Sequence, residues 1–497
     1  MSDALSRRRF LALTGAGAAG LALVACGGSG GPIRITSADP SVAAAESQRR
    51  RPGAAVRDVA LTAGAGAISL AQRMDTTWDY NQTVPGAEIR LTAGEVLRAK
   101  ITNKLPEATT IHWHGLALRN DMDGVPGVTQ KPIPPGGSFV YEFATAAPGT
   151  YWFHPHFGTQ VDRGLYAPLI IDDPHEPGGY DRELTVVLDD WLPATGPSPG
   201  GTLKALKAGG MGSMQMARSP LIGGDAGDVT YPFFLANGRP PTDPLVVDVT
   251  AGERIRLRLI NVGSDTAFRV AVGGHRVTVT HTDGFAVVPT TTDAVLIGMA
   301  ERYDAIVTIA ESGAFPLVAL AEGKGNQALV VLRSSPGAAN PPADVHPAEL
   351  DGQVIQAPDL RAAPAVTLAS RKPDRTFPVV LQLAPQGYRW SINGRSVDDA
   401  ADVLTLAEPL DIRRGERIRL VFDNRTTMFH PMHIHGHTFQ IVGPGGSAGP
   451  RKDTTIVKPQ QQVTVDFDAD NPGQWLMHCH NLYHMEAGMH GVISYVR

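Results

Sequence analysis

The chain has 497 residues, which at about 150 residues per domain points to roughly three domains. Glycine (54) and proline (39) take nearly a fifth of it, turn chemistry that suits short strands and many loops better than long helices. Hydrophobic residues at 42% exclude wholesale disorder, a net charge of -5 leaves no basic footprint for nucleic acid, and two cysteines, Cys26 and Cys479, cannot build a disulfide framework.

At the N-terminus, Ser6-Arg7-Arg8-Arg9-Phe10-Leu11 is a twin-arginine motif, followed by an apolar run from Leu11 to Ala25. These are the charged and apolar regions of an export signal, and the run is short of the roughly 20 residues a membrane span needs. Leu23-Val24-Ala25-Cys26 resembles the lipobox of bacterial lipoproteins. The resemblance implies a signal over residues 1–25, a lipidated Cys26, and a protein held in the periplasm or cell envelope. Residues 26–55, opening on Gly27-Gly28-Ser29-Gly30-Gly31, read as a linker.

Three segments further on match one another: Ala93-Gly94-Glu95 running to Asn103, Ala251-Gly252-Glu253 to Asn261, and Arg414-Gly415-Glu416 to Asn424. The glycines are 158 and 163 residues apart, so the repeat length equals a domain length. Each copy reads as a turn and an alternating strand, as in Ile255, Leu257 and Leu259. A second repeat begins at Gly149, Gly313 and Gly473. Three copies of one all-β sandwich follow, over 56–175, 176–333 and 375–497, with a Pro/Ala-rich linker over 334–374.

The repeat supplies an internal control. Nine residues after Asn103 stands His112, then His114; nine after Asn424 stands His433, then His435; nine after Asn261 stand Val270 and Val272. Five residues past the second repeat's glycines come His154-Pro155-His156, Val318-Ala319-Leu320 and His478-Cys479-His480. The second copy folds with aliphatics at these places, so packing does not explain the histidines. Four histidine clusters with a single thiol point to a metal, and imidazoles with one thiolate favour copper. His430, Cys479, His484 and Met489 provide the two imidazoles, one thiolate and one thioether of a blue-copper electron-transfer site.

With these motifs, residues 55–497 resemble the three-domain bacterial multicopper oxidases of the laccase and cuprous-oxidase type. The resemblance implies an all-β chain of three cupredoxin-like Greek-key β-sandwich domains holding four copper ions. By motif position, His430, Cys479, His484 and Met489 correspond to the type 1 ligands, and His112 and His433 to the type 2 ligands. His114, His154, His156, His435, His478 and His480 correspond to the ligands of the type 3 pair. The second domain, without ligands, would be a spacer. In the first domain Thr109, Pro155, Gln160 and Leu165 stand where the third has His430, Cys479, His484 and Met489. The family's reaction couples four one-electron oxidations to reduction of O2 to water. Asp123 resembles the family's acidic residue near the cluster. In the cuprous-oxidase branch a Glu directly follows the type 1 histidine; here Met485 intervenes before Glu486, the other expected proton-relay residue.

For the electron donor, Met428, two residues before His430, matches a cuprous-oxidase feature, whereas Thr426 stands where that branch has an acidic partner. Met211, Met214 and Met216 offer further thioethers. Envelope location, the lipid anchor and the resemblance to copper-resistance oxidases favour Cu(I) as donor, in copper detoxification, with Fe(II), phenols or aromatic amines as other donors and a broad laccase as the alternative. A two-domain nitrite-reductase relative does not fit three repeats and eight cluster histidines. A copper-storage protein remains compatible with the sequence, and predicts copper binding without O2 consumption.

Overall fold

The shared residues of the repeat perform the same local task three times. Gly94, Gly252 and Gly415 take φ of 98°, 87° and 90°, the left-handed turn that glycine adopts without strain. The glutamate after each folds back on its own turn: Glu95 accepts from the Thr92 N–H, Glu253 from Thr250 and Glu416 from Arg413, at 2.6–2.7 Å. Each strand then ends on the repeat's asparagine. Asn103, Asn261 and Asn424 each donate to two carbonyls, one four or five residues on and one on a distant segment: Ile133, Ile297 or Val457. Each also accepts a backbone N–H two residues ahead. The asparagine thereby fixes the loop that delivers the next strand, which in two copies carries the histidines.

The computed structural model describes residues 32–71, 73–176, 178–209, 217–385, 387–398 and 402–497. The expected signal, Cys26, and Met211, Met214 and Met216 lie outside the described residues. The chain divides into Met1–Ile33 and Arg34–Arg497, and the named strands belong to the second unit. They form three sandwiches of paired sheets, the all-β architecture expected. In the first, a sheet ordered Arg73–Tyr80, Val56–Leu70, Val96–Asn103, Ser138–Ala144 is accompanied by one ordered Ile89–Thr92, Ala167–Asp172, Gly149–His154, His112–His114. The second has two six-stranded sheets, and the third a six- and a five-stranded sheet. Corresponding strands are neighbours throughout: His112–His114 beside Gly149–His154, Phe268–Val272 beside Ala314–Ala321, and His430–Ile434 beside Gln474–Cys479. The first sandwich has its own apolar core, and the other two share a continuous one.

Three particulars depart from the expectations. The 26–55 stretch is not all linker: Pro40–Arg49 is a helix capped by the Asp39 carboxylate on the Ser41 N–H, and buried Glu46 accepts the Ala144 N–H at the first sandwich. Within 334–374, Val354–Ile355 pairs with Ala294–Ile297 and extends a sheet of the second sandwich. Strand Arg254–Asn261 does not expose alternate residues, because Arg256 and Arg258 are also buried, paired with Glu176, Glu183 and Asp304. In addition, His112 faces His154 and His433 faces His478, but Val270 faces Ala319, one residue off the repeat alignment.

Candidate metal centre

Strand pairing puts His112 beside His154 and His433 beside His478, and the first and third sandwiches then interleave these rows. His112 stacks on His435 with centroids 3.8 Å apart, and His114 on His433 at 3.9 Å. The i, i+2 spacing of each motif makes both contacts possible, since alternate strand residues share a face. Three triads bring one ligand atom each within 4.8 Å of one another: His112, His114 and His433; His114, His154 and His480; His156, His435 and His478. The eight histidines predicted from spacing thus converge, and the structure divides the six expected type 3 ligands into two sets of three.

The other ring nitrogens are held by acceptors, which fixes the tautomers. His112 Nδ1 donates to the Asp123 carbonyl (3.0 Å), His433 to that of Asp453 (2.9 Å), His154 to that of Pro155 (2.9 Å) and His478 to that of Cys479 (2.8 Å). The Nε2 atoms of His112, His154, His433 and His480, with Nδ1 of His114, are buried without a hydrogen-bond partner among the described residues. Each such orphan costs about 1–3 kcal/mol unless something binds it. The third triad is more telling. His435 donates from Nδ1 to an Asp123 oxygen (2.9 Å), so its Nε2 lone pair faces the Nε2 lone pair of His478 at 3.0 Å. Two lone pairs at that range repel unless a cation sits between them. Burial pushes His156, His435 and His478 well below the usual histidine range and His154 down to about 3, which keeps them as neutral ligands.

A second centre lies one residue away. Cys479 Sγ is 3.5 Å from His430 Nδ1 and 3.6 Å from His484 Nδ1, and those nitrogens are 3.1 Å apart. The far nitrogens are engaged, His430 Nε2 with the Thr426 hydroxyl (2.9 Å) and His484 Nε2 with Asp228 Oδ2 (3.0 Å), so both Nδ1 atoms turn to the sulfur. Asn481 caps helix Leu482–Glu486 by accepting from the Tyr483 and His484 N–H groups. Met489 is buried and joined by backbone bonds to Cys479 and His484. Burial pushes the Cys479 thiol up, so only a cation at the sulfur would hold it as thiolate. Both donor sets fit copper. In the first sandwich the corresponding Thr109 and Gln160 also lie together, hydrogen-bonded at 2.7 Å, with a hydroxyl and an amide where the third sandwich has two imidazoles.

Of the other expected residues, Asp123 touches the cluster on both sides, its Oδ1 lying 3.2 Å from His112 Nδ1, and burial raises its pKa. Glu486 closes its helix and belongs to neither donor set, whereas Met485 lines a small cavity with His154, His478 and His480. Met428 is buried and backbone-bridged to Asp225. Sequence reasoning missed Asp453, whose Oδ1 is 3.0 Å from His114 Nε2, and Asp228 and Asp225 near the Cys479 centre.

Three family models described as Multicopper oxidase match residues 62–176, 182–336 and 372–496. The chain is 45% identical to multicopper oxidase MmcO of Mycobacterium tuberculosis, over 99% of this chain and 97% of that one. It is 30% identical to a copper resistance protein A homolog of Pseudomonas syringae pv. tomato, over 86% and 90%. Its fold is similar to the crystal structure of a laccase from Botrytis aclada, with a TM-score of 0.74 and 26% identity over 90% and 88% of the chains.

Proposed function

The chain belongs to the multicopper oxidase family, and from that premise we propose that its electron donor is Cu(I), oxidised in the reaction 4 Cu(I) + O2 + 4 H+ → 4 Cu(II) + 2 H2O. Four resident coppers would be held, one by His430, Cys479, His484 and Met489, one by His112 and His433, and two by the triads His114/His154/His480 and His156/His435/His478. Copper, when bound, supplies one-electron redox chemistry at both centres. The chain supplies the wiring: Cys479 is covalently joined to His478 and His480, and consecutive Cα atoms are only about 3.8 Å apart. The hydrogen bond from His478 Nδ1 to the Cys479 carbonyl adds a second short connection. Asp123 orients His435 and His112, and its raised pKa suits it to hold a proton at Oδ1 beside the cluster.

One observation carries the choice of a cationic donor. Asp225 Oδ2 is buried without a hydrogen-bond partner among the described residues, its backbone is paired to Met428, and neighbouring Asp228 holds His484. Carboxylates from the second sandwich would then stand in for the acidic residue absent at Thr426; their charge favours a cation over a neutral phenol, and the Met428 thioether favours a soft one. Export through the twin-arginine signal and anchorage at Cys26 complete the reading. Likeness to the copper resistance protein A homolog supports a role in lowering Cu(I) in the envelope.

Steady-state O2 consumption with Cu(I), Fe(II) and a phenol offered separately tests this. In Asp225→Asn the ratio of kcat/KM for Cu(I) to that for the phenol is expected to fall on the order of tenfold, about 1.4 kcal/mol. Burial and the charge of Asp228 push Asp225 up to about 6. The wild-type KM for the cation should therefore rise as pH drops through that value, when the carboxylate becomes neutral. An unchanged ratio would move the donor to the histidine edge, as in a laccase, and copper uptake without O2 consumption would make the protein a store.

A further inference from the structure

We infer that Arg302, in the second sandwich, is a positioning residue of the histidine cluster and acts through Asp453. The inference rests on the copper assignment above. Arg302 opens strand Arg302–Thr308 and is fully buried. Its guanidinium grips Asp453 with both ends of the fork, Nη1 to Oδ1 at 2.8 Å and Nη2 to Oδ2 at 2.6 Å. Its Nε donates to the Thr150 carbonyl of the first sandwich at 3.0 Å, and Nη1 also donates to the Ala300 carbonyl. One side chain therefore touches all three sandwiches.

Asp453 passes this hold to the metal ligands. Its Oδ1 accepts from His114 Nε2 at 3.0 Å, and its carbonyl accepts from His433 Nδ1 at 2.9 Å. The carboxylate, with the Thr454 hydroxyl 3.2 Å from the same Nε2, turns Nδ1 of His114 toward the cluster, where the other histidines with orphaned nitrogens present Nε2. Around this point the second sandwich adds more. Asp283 Oδ2 accepts the N–H groups of Asp453 and Thr454, both at 3.1 Å, and its Oδ1 accepts the Arg302 N–H at 2.8 Å. Lys452 Nζ lies 3.2 Å from both Asp283 and Glu301. Two positive and three negative groups are thus buried together, and the surplus negative charge adjoins the cations the cluster is proposed to hold.

A clamp between sandwiches would need only the ion pair. The bonds from Asp453 to a histidine of the first sandwich and a histidine of the third are what make it a metal-positioning device. The expectation that the second domain is a spacer gives way on this point: it holds no ligand, yet it sets the orientation of two.

The test compares Arg302→Met and Arg302→Lys in copper-loaded protein by the type 2 EPR signal, normalised to the blue absorption of the Cys479 centre. That absorption reports the copper assignment separately. Arg302→Met is expected to keep the blue band and to lose the type 2 signal by about tenfold or more, the scale for losing an outer partner of a metal-bound histidine. Arg302→Lys, with the charge but not the fork, should fall between. If Arg302→Met does not fold, Arg302→Lys decides alone. A normalised type 2 signal unchanged in the folded variant would overturn the inference and leave Arg302 a structural clamp. Wild-type protein that never turns blue would overturn the copper reading, and this inference with it.

Discussion

Cys479→Ser is expected to be colourless and to oxidise donors at least about a thousandfold more slowly than the wild type, while the histidine cluster keeps its metal. The sulfur is the soft ligand of its centre, 3.5 and 3.6 Å from the two imidazole nitrogens. Serine is smaller and hard, and its hydroxyl in the same buried position would remain a neutral alcohol, so neither the charge-transfer colour nor a low-barrier electron entry survives. Nothing in the substitution touches the nitrogens of His478 and His480, which reach the other centre. Copper analysis should therefore find one ion fewer per chain, with the type 2 EPR signal retained. A blue Cys479→Ser protein would refute the assignment of the electron-entry site.

The next largest effect is expected at Asp123, and it separates the two halves of the reaction. Asp123→Asn keeps an oxygen able to accept from His435 and leaves the backbone carbonyl on His112 untouched, so copper loading and anaerobic reduction by donor should be normal. An amide cannot hold and release a proton as the carboxyl can, so reoxidation by O2 should slow by about 10–100-fold. Asp123→Ala also removes the acceptor that orients His435, and copper affinity should then fall as well. Stopped-flow measurement of reduction and reoxidation on the same samples distinguishes these. Reoxidation at the wild-type rate in Asp123→Asn would remove the proton role and leave Asp123 an orienting group.

The cluster was legible in the sequence because its ligands sit at fixed offsets inside a repeat. Asn103 and Asn424 bond the carbonyl four residues on, so His112 and His433 are structurally equivalent. Asn261 bonds the one five residues on, which shifts the counterpart from Val270 to Ala271, opposite Val318, and the contrast of histidine with an aliphatic still holds. The same offsets pair Thr109 and Gln160 with His430 and His484, and those two are also in contact. Groups recruited across sandwich boundaries were not legible. Arg302 and Asp453 are 151 residues apart, and Asp228 is 256 from His484, with no spacing to connect them. Asp453 was disguised further. Asp293 stands four residues before Ile297 as Asp453 stands four before Val457, and there it makes an ordinary half-exposed pair with Arg276. Arg256 and Arg258 look like surface positions of an alternating strand, and only the covering segments of the chain explain their burial.

The interleaved histidine stacks have a consequence for the chain as a polymer. Metal bound by His156 and His478 would cross-link residues 322 positions apart, closing a loop that contains the whole second sandwich. Ring closure removes conformational freedom from the unfolded chain, and does so somewhat more as the loop lengthens. The metal would then act as a removable staple between the two ends of the molecule. A single proteolytic cut inside the loop should leave the fragments joined and blue, and a chelator should lower the denaturant concentration at which they separate.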